Sequence, residues 1–390
     1  MKLRSLYLFA IALIFASCKK NNSNTAPAPA TTSNPTSNFS LDYQNAYGNS
    51  YQYTIGKDPI TLYADGSYLV SSVSFDGTTD IVQLNKVNAS GANVWTKKYK
   101  FGNNWHKSGN PLLTSDGNIL LIGTAPTGST WTETKTLMVK LDQNGDTIWH
   151  RIYGYNYDDL GVGAVEDAGN TYWVIDFSAQ QAKCTFIKLN NNGDSLTSVI
   201  NTESYSVQYV DYMNTSANEI VVAGTSSNFV STKQPVYIAK YLNGTKVFSN
   251  NFVLTNYDEV MVTGVSECYD GNYLVFGRAH NFSTTPFHGF ILKIDKNGNL
   301  ISETINSVTN DVFFTWAQEY TAGNYFVGVQ GNGFNPGLYK WSGNLSTLTT
   351  FNYPFWSFAQ MVIRGNKLYT ASHGSDASSY ETVTVQRFSF

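Results

Sequence analysis

Three observations predict an all-β chain: a seven-bladed β-propeller of four-stranded antiparallel blades, its last blade closed by the strand nearest the N-terminus. The first is a repeat of about fifty residues, the period of a repeat architecture, marked by Lys-apolar-Asp/Asn-x-x-Gly. It is clear at Lys140–Gly145 and Lys293–Gly298, and looser at Lys188–Gly193 and Lys240–Gly244. The second is composition: aromatics are 15% of residues and charged residues only 14%, a balance that favours strands joined by tight turns. The third is an orphan segment, Leu41–Gly48, which reads as a strand but has no partner near it in sequence.

Each repeat opens on a turn: Asp65-Gly66, Asp116-Gly117, Ala168-Gly169-Asn170, Ala217-Asn218, Asp270-Gly271, Ala322-Gly323-Asn324 and Gly365-Asn366. Asp-Gly and Asn-Gly suit hairpins because such turns demand positive φ. An apolar strand follows, as in Ile119–Ile122 or Tyr273–Phe276, then a third strand ending in the Lys motif, as in Thr136–Leu141. The motif's Gly makes the second turn, and a fourth strand such as Thr147–Tyr153 completes the unit. Four strands repeated seven times describe a propeller. The seventh repeat ends at Thr382–Phe388, a third strand with no fourth behind it. Leu41–Tyr47 supplies the missing strand, and pairing the two removes two exposed edges.

The first forty residues are of another kind. Lys2 and Arg4 precede an apolar run, Leu6–Ala16, too short to span a bilayer and fitted to a secretory signal. Phe15-Ala16-Ser17-Cys18 resembles a bacterial lipobox, which implies a signal peptide over 1–17 and a lipidated Cys18. Residues 18–40 are Asn, Ser, Thr, Ala and Pro with little apolar bulk, a tether reaching roughly 25–30 Å as a coil. Its start, Lys19-Lys20-Asn21-Asn22, is similar to the tethers of Bacteroidetes lipoproteins but lacks their acidic run, which leaves surface and periplasmic sides of the outer membrane both open. The net charge of −3 supplies no basic stripe for nucleic acid.

Tyr153–Asp159 through Ala168–Tyr172, and Tyr257–Glu259 through Asp270–Tyr273, resemble the bacterial β-propeller repeat family of secreted and surface proteins. The likeness spans nearly all of 41–390. It implies the propeller and no single chemistry.

Chemistry is expected on the face that carries the longer connections: 124–135, 225–235, 278–288, 330–337 and 372–380. Aromatic and basic residues gather there, and Trp105, His106, Trp131, Tyr157, Arg278, His280 and Trp356 are the candidate ligand-binding residues. The carboxylates Asp158-Asp159, Asp258-Glu259 and Asp311 occupy similar inter-blade positions, which suits structural acceptors better than an acid–base pair. Asp142–Asp146 has a passing likeness to a calcium loop and fits a hairpin better. The histidines lack ligand spacing, no Gly-x-Ser-x-Gly elbow occurs, and Cys184 and Cys268 lie in separate repeats as expected free thiols. No metal, cofactor or catalytic residue is assigned. The expectation is a lipid-anchored envelope module that binds a glycan or an envelope protein. The alternatives are a polysaccharide-active enzyme, which a carboxylate cluster breaking the seven-fold pattern in the channel would favour, and a periplasmic outer-membrane assembly factor.

Overall fold

The computed structural model describes residues 40–390 apart from 51–57, 76, 78–79, 102–106, 127–133, 155–158, 179–182, 203–205, 216–218, 228–232, 282–283, 307–310, 332–333, 343–344, 351–356 and 376–380. The expected signal peptide, Cys18 and nearly all of the tether lie outside the described residues, as do Trp105, His106, Trp131, Tyr157 and Trp356. No described helix is long and apolar enough to cross a membrane.

The chain begins with β1 (Ser40–Ser50) and then lays down its blades in order. Blade 1 is β2 (Ile60–Leu62), β3 (Tyr68–Phe75), β4 (Asp80–Val87) and β5 (Asn93–Tyr99). Blade 2 is β6 (Lys107–Leu113), β7 (Ile119–Pro126), β8 (Thr134–Leu141) and β9 (Thr147–Tyr153). Blade 3 is β10 (Asp159–Asp167), β11 (Thr171–Ser178), β12 (Lys183–Leu189) and β13 (Ser195–Thr202). Blade 4 is β14 (Ser206–Asn214), β15 (Ile220–Ser227), β16 (Val236–Leu242) and β17 (Thr245–Phe252). Blade 5 is β18 (Glu259–Glu267), β19 (Tyr273–Asn281), β20 (Thr284–Ile294) and β21 (Leu300–Ile305). Blade 6 is β22 (Phe313–Thr321), β23 (Asn324–Gly331), β24 (Phe334–Trp341) and β25 (Leu345–Thr350). Blade 7 is β26 (Ser357–Arg364), β27 (Lys367–Ser375) and β28 (Glu381–Ser389), with β1 as its fourth strand.

The seven-bladed propeller is therefore present, and β1 closes it. β1 runs antiparallel to β28 from Ser40 opposite Ser389 to Ser50 opposite Glu381. Side chains lock the seam. Asp42 Oδ2 lies 3.0 Å from Lys367 Nζ and 2.8 Å from Arg387 Nε, and Asp42 Oδ1 accepts the Ser389 hydroxyl. A single parallel bridge, Asn49 to Ser74, then joins blade 7 to blade 1.

First strands of successive blades touch one another and form the inner wall, whereas fourth strands such as β9 are mostly exposed to solvent. The second and third strands are buried on both faces, as in β11 and β16, which is why they read as nearly continuous apolar runs. The core is not a single centre. It is divided into wedges, one at each junction of neighbouring blades; between blades 2 and 3, for example, Leu120, Ile122, Met138, Tyr172, Val174 and Ile187 pack together. Each such aliphatic side chain contributes about 1.5–3 kcal/mol when fully buried, so ring integrity is distributed around the circumference. Cys184 belongs to the wedge between blades 3 and 4 and Cys268 to that between blades 5 and 6; both are buried free thiols.

Candidate functional site

The two faces of the ring differ in kind. On the turn face, formed by the first-to-second and third-to-fourth strand turns, the repeated Lys motif has a structural use. Its Lys reaches from the third strand to an acid on the preceding turn: Lys140 to Asp116 at 2.7 Å, Lys188 to Asp167 at 2.7 Å, Lys240 to Glu219 at 3.1 Å and Lys293 to Asp270 at 3.0 Å. Its Asp or Asn closes the following hairpin. Asp142 Oδ1 accepts the N–H groups of Asn144 and Asp146, and Asn190 and Asp295 do the same for their own turns. This settles Asp142–Asp146 as a hairpin turn, since its carboxylate is occupied by backbone.

Its Gly adopts positive φ and lies under an aromatic of the preceding blade. A Cβ on Gly145 would meet Trp95 at 3.0 Å, one on Gly193 would meet Trp149 at 3.1 Å, and one on Gly298 would meet Phe248 at 2.8 Å. The fourth strands also donate to the carbonyls of these glycines: Tyr99 to Gly145, Asn201 to Gly244 and Asn250 to Gly298. β1 obeys the same rule, with Asn45 donating to Gly91 O at 2.7 Å and Tyr43 packed on Gly91. The N-terminal strand thus serves blade 7 in every respect as its fourth strand.

The turn face also brings Cys268, Asp270 and Glu319 close enough to share an ion, with ligand atoms within 4.8 Å of one another. Lys293 Nζ already fills that place, 3.0 Å from Asp270 and 2.9 Å from Glu319. Burial, with Glu319 nearby, pushes the Cys268 thiol far above its usual range, so no thiolate is on offer.

Of the sequence-predicted binding residues, Arg278 and His280 are the two described, and they lie toward the opposite face. Two of its expected long loops are hairpins instead. β19 and β20 stay paired to Asn281 opposite Thr284, and β23 and β24 to Gly331 opposite Phe334, because ladder hydrogen bonds extend to the tips. Arg278 and His280 therefore sit on a strand, held more rigidly than loop residues. They are two apart on β19 and share a face, with Glu259 of β18 opposite His280 and Met261 opposite Arg278.

The Arg278 guanidinium lies between two rings, 4.7 Å from the centroid of Phe287 on β20 and 4.6 Å from that of Phe313 on β22. Its Nε is buried without a hydrogen-bond acceptor. Burial lowers its pKa, while the charges of Glu259 and Asp311 act in the other direction; a guanidinium stays protonated throughout. His280 Nδ1 is 3.3 Å from Glu259 Oε2, and its ring lies 4.5 Å from that of Phe287. The result is a partly buried cluster between blades 5 and 6 with one fixed cation, one imidazole–carboxylate pair and aromatic neighbours. Met261, 43% exposed on the inner strand, adds an apolar lip toward the channel.

The inter-blade carboxylates need one correction. Asp311 accepts the N–H of Phe287 at 2.9 Å, as a structural acceptor should. Asp159 and Glu259 are not equivalent, however. Asp159 lies two residues before Gly161, and Glu259 lies three before Val262, the matching position ahead of each strand's bulge. One step along a strand reverses the face, so Asp159 turns toward the preceding blade and Glu259 away from it.

Sequence reasoning passed over Asp176. Second strands carry Gly at its position in Ile122-Gly123, Ala223-Gly224 and Phe276-Gly277, but blade 3 reads Ile175-Asp176. Asp176 is the one acid on any described second strand. Its Oδ1 accepts the Thr136 hydroxyl at 2.6 Å, and burial, reinforced by the charge of Asp159, pushes its carboxyl up to about 7. The sequence signal for it is this departure from Gly at the equivalent position of the other second strands. This carboxylate pair does break the seven-fold pattern, but both side chains are only 2% exposed and lie between blades, out of reach of a polysaccharide in the channel.

The fold and this geometry define a β-propeller. No known family matches the chain, and no curated protein matches it in sequence. Among solved structures it is similar to a protein of unknown function from Dyadobacter fermentans, at 8% identity and TM-score 0.50, over 90% of this chain and 99% of that one. It is also similar to a PL25 polysaccharide lyase, an ulvan lyase bound to -[GlcA(1-4)Rha3S]-, at 11% identity and TM-score 0.57, over 87% and 95%. A third likeness, at 10% identity and TM-score 0.48, is the propeller domain of the Trilobed protease from Pyrococcus furiosus, over 88% and 94%. At such identities the likeness is one of fold.

Proposed function

We propose that this protein is a lipid-anchored cell-envelope propeller that binds an acidic glycan at the Arg278 cluster between blades 5 and 6. The observation that supports it is Arg278, a guanidinium fixed between Phe287 and Phe313 with its Nε lacking an acceptor. A clamped guanidinium recognises carboxylate or sulfate with little ordering cost, and the ring edges and Met261 offer apolar contact to a sugar. An array of neutral, uronate and sulfated oligosaccharides tests it. Binding confined to acidic members, and reduced at least tenfold by Arg278→Ala, is the expected result; equal binding by the variant overturns it. Labelling with a radioactive fatty acid, lost in Cys18→Ser, tests the anchor.

The second reading is a polysaccharide-active enzyme. It is favoured by the Glu259–His280 pair at 3.3 Å beside Arg278, because an imidazole oriented by a carboxylate next to a cation can move a proton near an anionic sugar. New reducing ends or unsaturated products from acidic polysaccharide, abolished by His280→Ala, would replace the binding reading with this one.

A further inference from the structure

The outer rim of the ring is regular in its apolar residues and irregular in its charge. Three residues after the turn glycine, the fourth strand presents an aliphatic side chain to solvent: Val94, Ile148, Leu196, Val247 and Ile301 are each between 50% and 56% exposed. One such residue per blade is ordinary for a surface. Cations are distributed otherwise. β5 and β9 carry Lys97, Lys98, His150 and Arg151, and Lys246 on β17 is the only other lysine, arginine or histidine on a described fourth strand. Lys98, His150 and Arg151 are exposed, as is Lys100 just past β5, and exposed Ile152 adds a second aliphatic to β9. The fixed cations Lys97, Lys98, Lys100 and Arg151 outnumber the acids of the neighbouring turns, Asp142, Asp146 and Asp194, and Asp146 is paired with Lys97 at 2.7 Å. In a chain whose net charge is −3, this strip is a local excess of positive charge.

The chain enters the fold in the same sector. Tyr43 packs on Gly91, Asn45 donates to Gly91 O at 2.7 Å, and Arg387, paired with Asp42, donates to Ala89 O. The start of β1 therefore lies against the turn from which β5 begins at Asn93. Ser40 is three residues before Tyr43, about 10 Å along a strand. The residues that precede Ser40, expected to lead back to a lipid on Cys18, thus join the ring beside β5. A flexible link of that length raises the local concentration of this sector at a bilayer above that of the far arc.

We propose that the outer strands of blades 1 and 2 rest on an anionic phospholipid surface, with Lys98, Lys100 and Arg151 at the headgroup phosphates and Val94, Ile148 and Ile152 toward the acyl chains. Where the chain enters counts in its favour only through the lipid anchor proposed above; the charged strip stands without it. Basic and aliphatic side chains interleaved on one strip hold a protein in a membrane interface, because the cations gain from the surface potential and the aliphatic groups from burial. The consequence is orientation. Blades 5 and 6 lie across the ring from blades 1 and 2, so the Arg278 cluster points away from the membrane.

Residues 18–390 with Cys18→Ser are the material for the test: they keep every described residue and carry no acyl chain. Flotation compares vesicles of about one-third phosphatidylglycerol in phosphatidylcholine with phosphatidylcholine alone. Partition into the anionic vesicles at least about tenfold stronger is expected at about 0.05 M salt, and most of the difference should vanish at about 0.5 M. Lys98→Glu with Arg151→Glu should cut that partition at least about tenfold, whereas Lys246→Glu on blade 4 should leave it within about twofold. Ile148→Ser with Ile152→Ser should lower it about threefold or more, and it decides the matter if the charge-reversed protein does not fold. Equal partition of wild type and the charge-reversed protein, or no preference for anionic vesicles, overturns the proposal. So does capture of a soluble sulfated polysaccharide through Lys98 and Arg151 by a protein that ignores vesicles. Vesicle binding without fatty-acid labelling of Cys18 supports the surface and removes only the anchor; labelling without vesicle binding removes the surface and keeps the anchor.

Discussion

The turn face and the loop face are built from the same strands, yet they obey different rules. On the turn face, blade after blade repeats a Lys–acid clamp, an Asx-closed hairpin and a glycine under an aromatic. On the loop face the repeats diverge: blade 3 alone carries Asp176, and blade 5 alone carries the Arg278 stack among the described residues. The residues most conspicuous in the sequence are thus scaffold, and the residue proposed to recognise a ligand, Arg278, is one that occurs once. The difference makes a mechanical prediction. Turn-face changes should cost stability, and loop-face changes should cost binding.

The largest effect tests the seam that completes the turn-face pattern. Removing residues 40–50 leaves β28 as an open edge and strips Asp42 from Lys367 and Arg387. Aggregation, or a fall in Tm of about 10 °C or more, is expected in size-exclusion and thermal measurements. Next comes Lys140→Ala. Lys140 is 2% exposed and holds Asp116 and the Tyr172 hydroxyl, so its loss should destabilise the protein by about 3 kcal/mol in urea unfolding. A value near zero would show the clamp to be incidental.

The same clamp has a pH signature. Burial would raise the Asp116 pKa, but hydrogen bonds from Lys140, Thr114 and Asn118 overcome it and hold the carboxyl at about 2. An unfolded Asp titrates near 3.9. Asp116 therefore contributes stability above about pH 4 that is lost as pH falls toward 2. Asp116→Asn should be less stable than wild type at pH 6 and approach it at pH 2.5, as read from urea midpoints. Gly193→Ala is a smaller lesion, about 1–2 kcal/mol, from positive φ and a Trp149 ring 3.1 Å away. Smallest of all is Arg278→Ala, at about 1 kcal/mol or less in stability, while its effect on acidic-glycan binding is tenfold or more. A large stability loss there would erase the distinction between the faces.

Much of the fold was legible in advance because its determinants are local. Glycine at a positive-φ turn, Asp or Asn closing a hairpin and period-2 apolar strands act within a few residues, so the repeat shows them directly. The lent strand was legible too, through the missing fourth strand after Phe388. The candidate site was less so. The sequence places Arg278 and His280 in a loop, but ladder pairing continues past them to Asn281. Asp159 and Glu259 looked equivalent because a one-residue offset before a bulge leaves no mark in composition, yet it reverses which blade each one faces. Asp176 lay in an apolar strand, where a single acid has no local signature.

The sequence by itself determined the architecture: seven units, their turns, and a closing strand brought from the other end. Tertiary structure alone decided which side chains meet. A guanidinium between the rings of Phe287 and Phe313, and the Asp176 carboxylate bonded to Thr136, assemble residues from different strands and neighbouring blades. The physical reason is one of range. Turn and strand preferences are set by a residue's own backbone and its nearest neighbours, whereas a site is set by register between strands and by the stacking of one blade on the next.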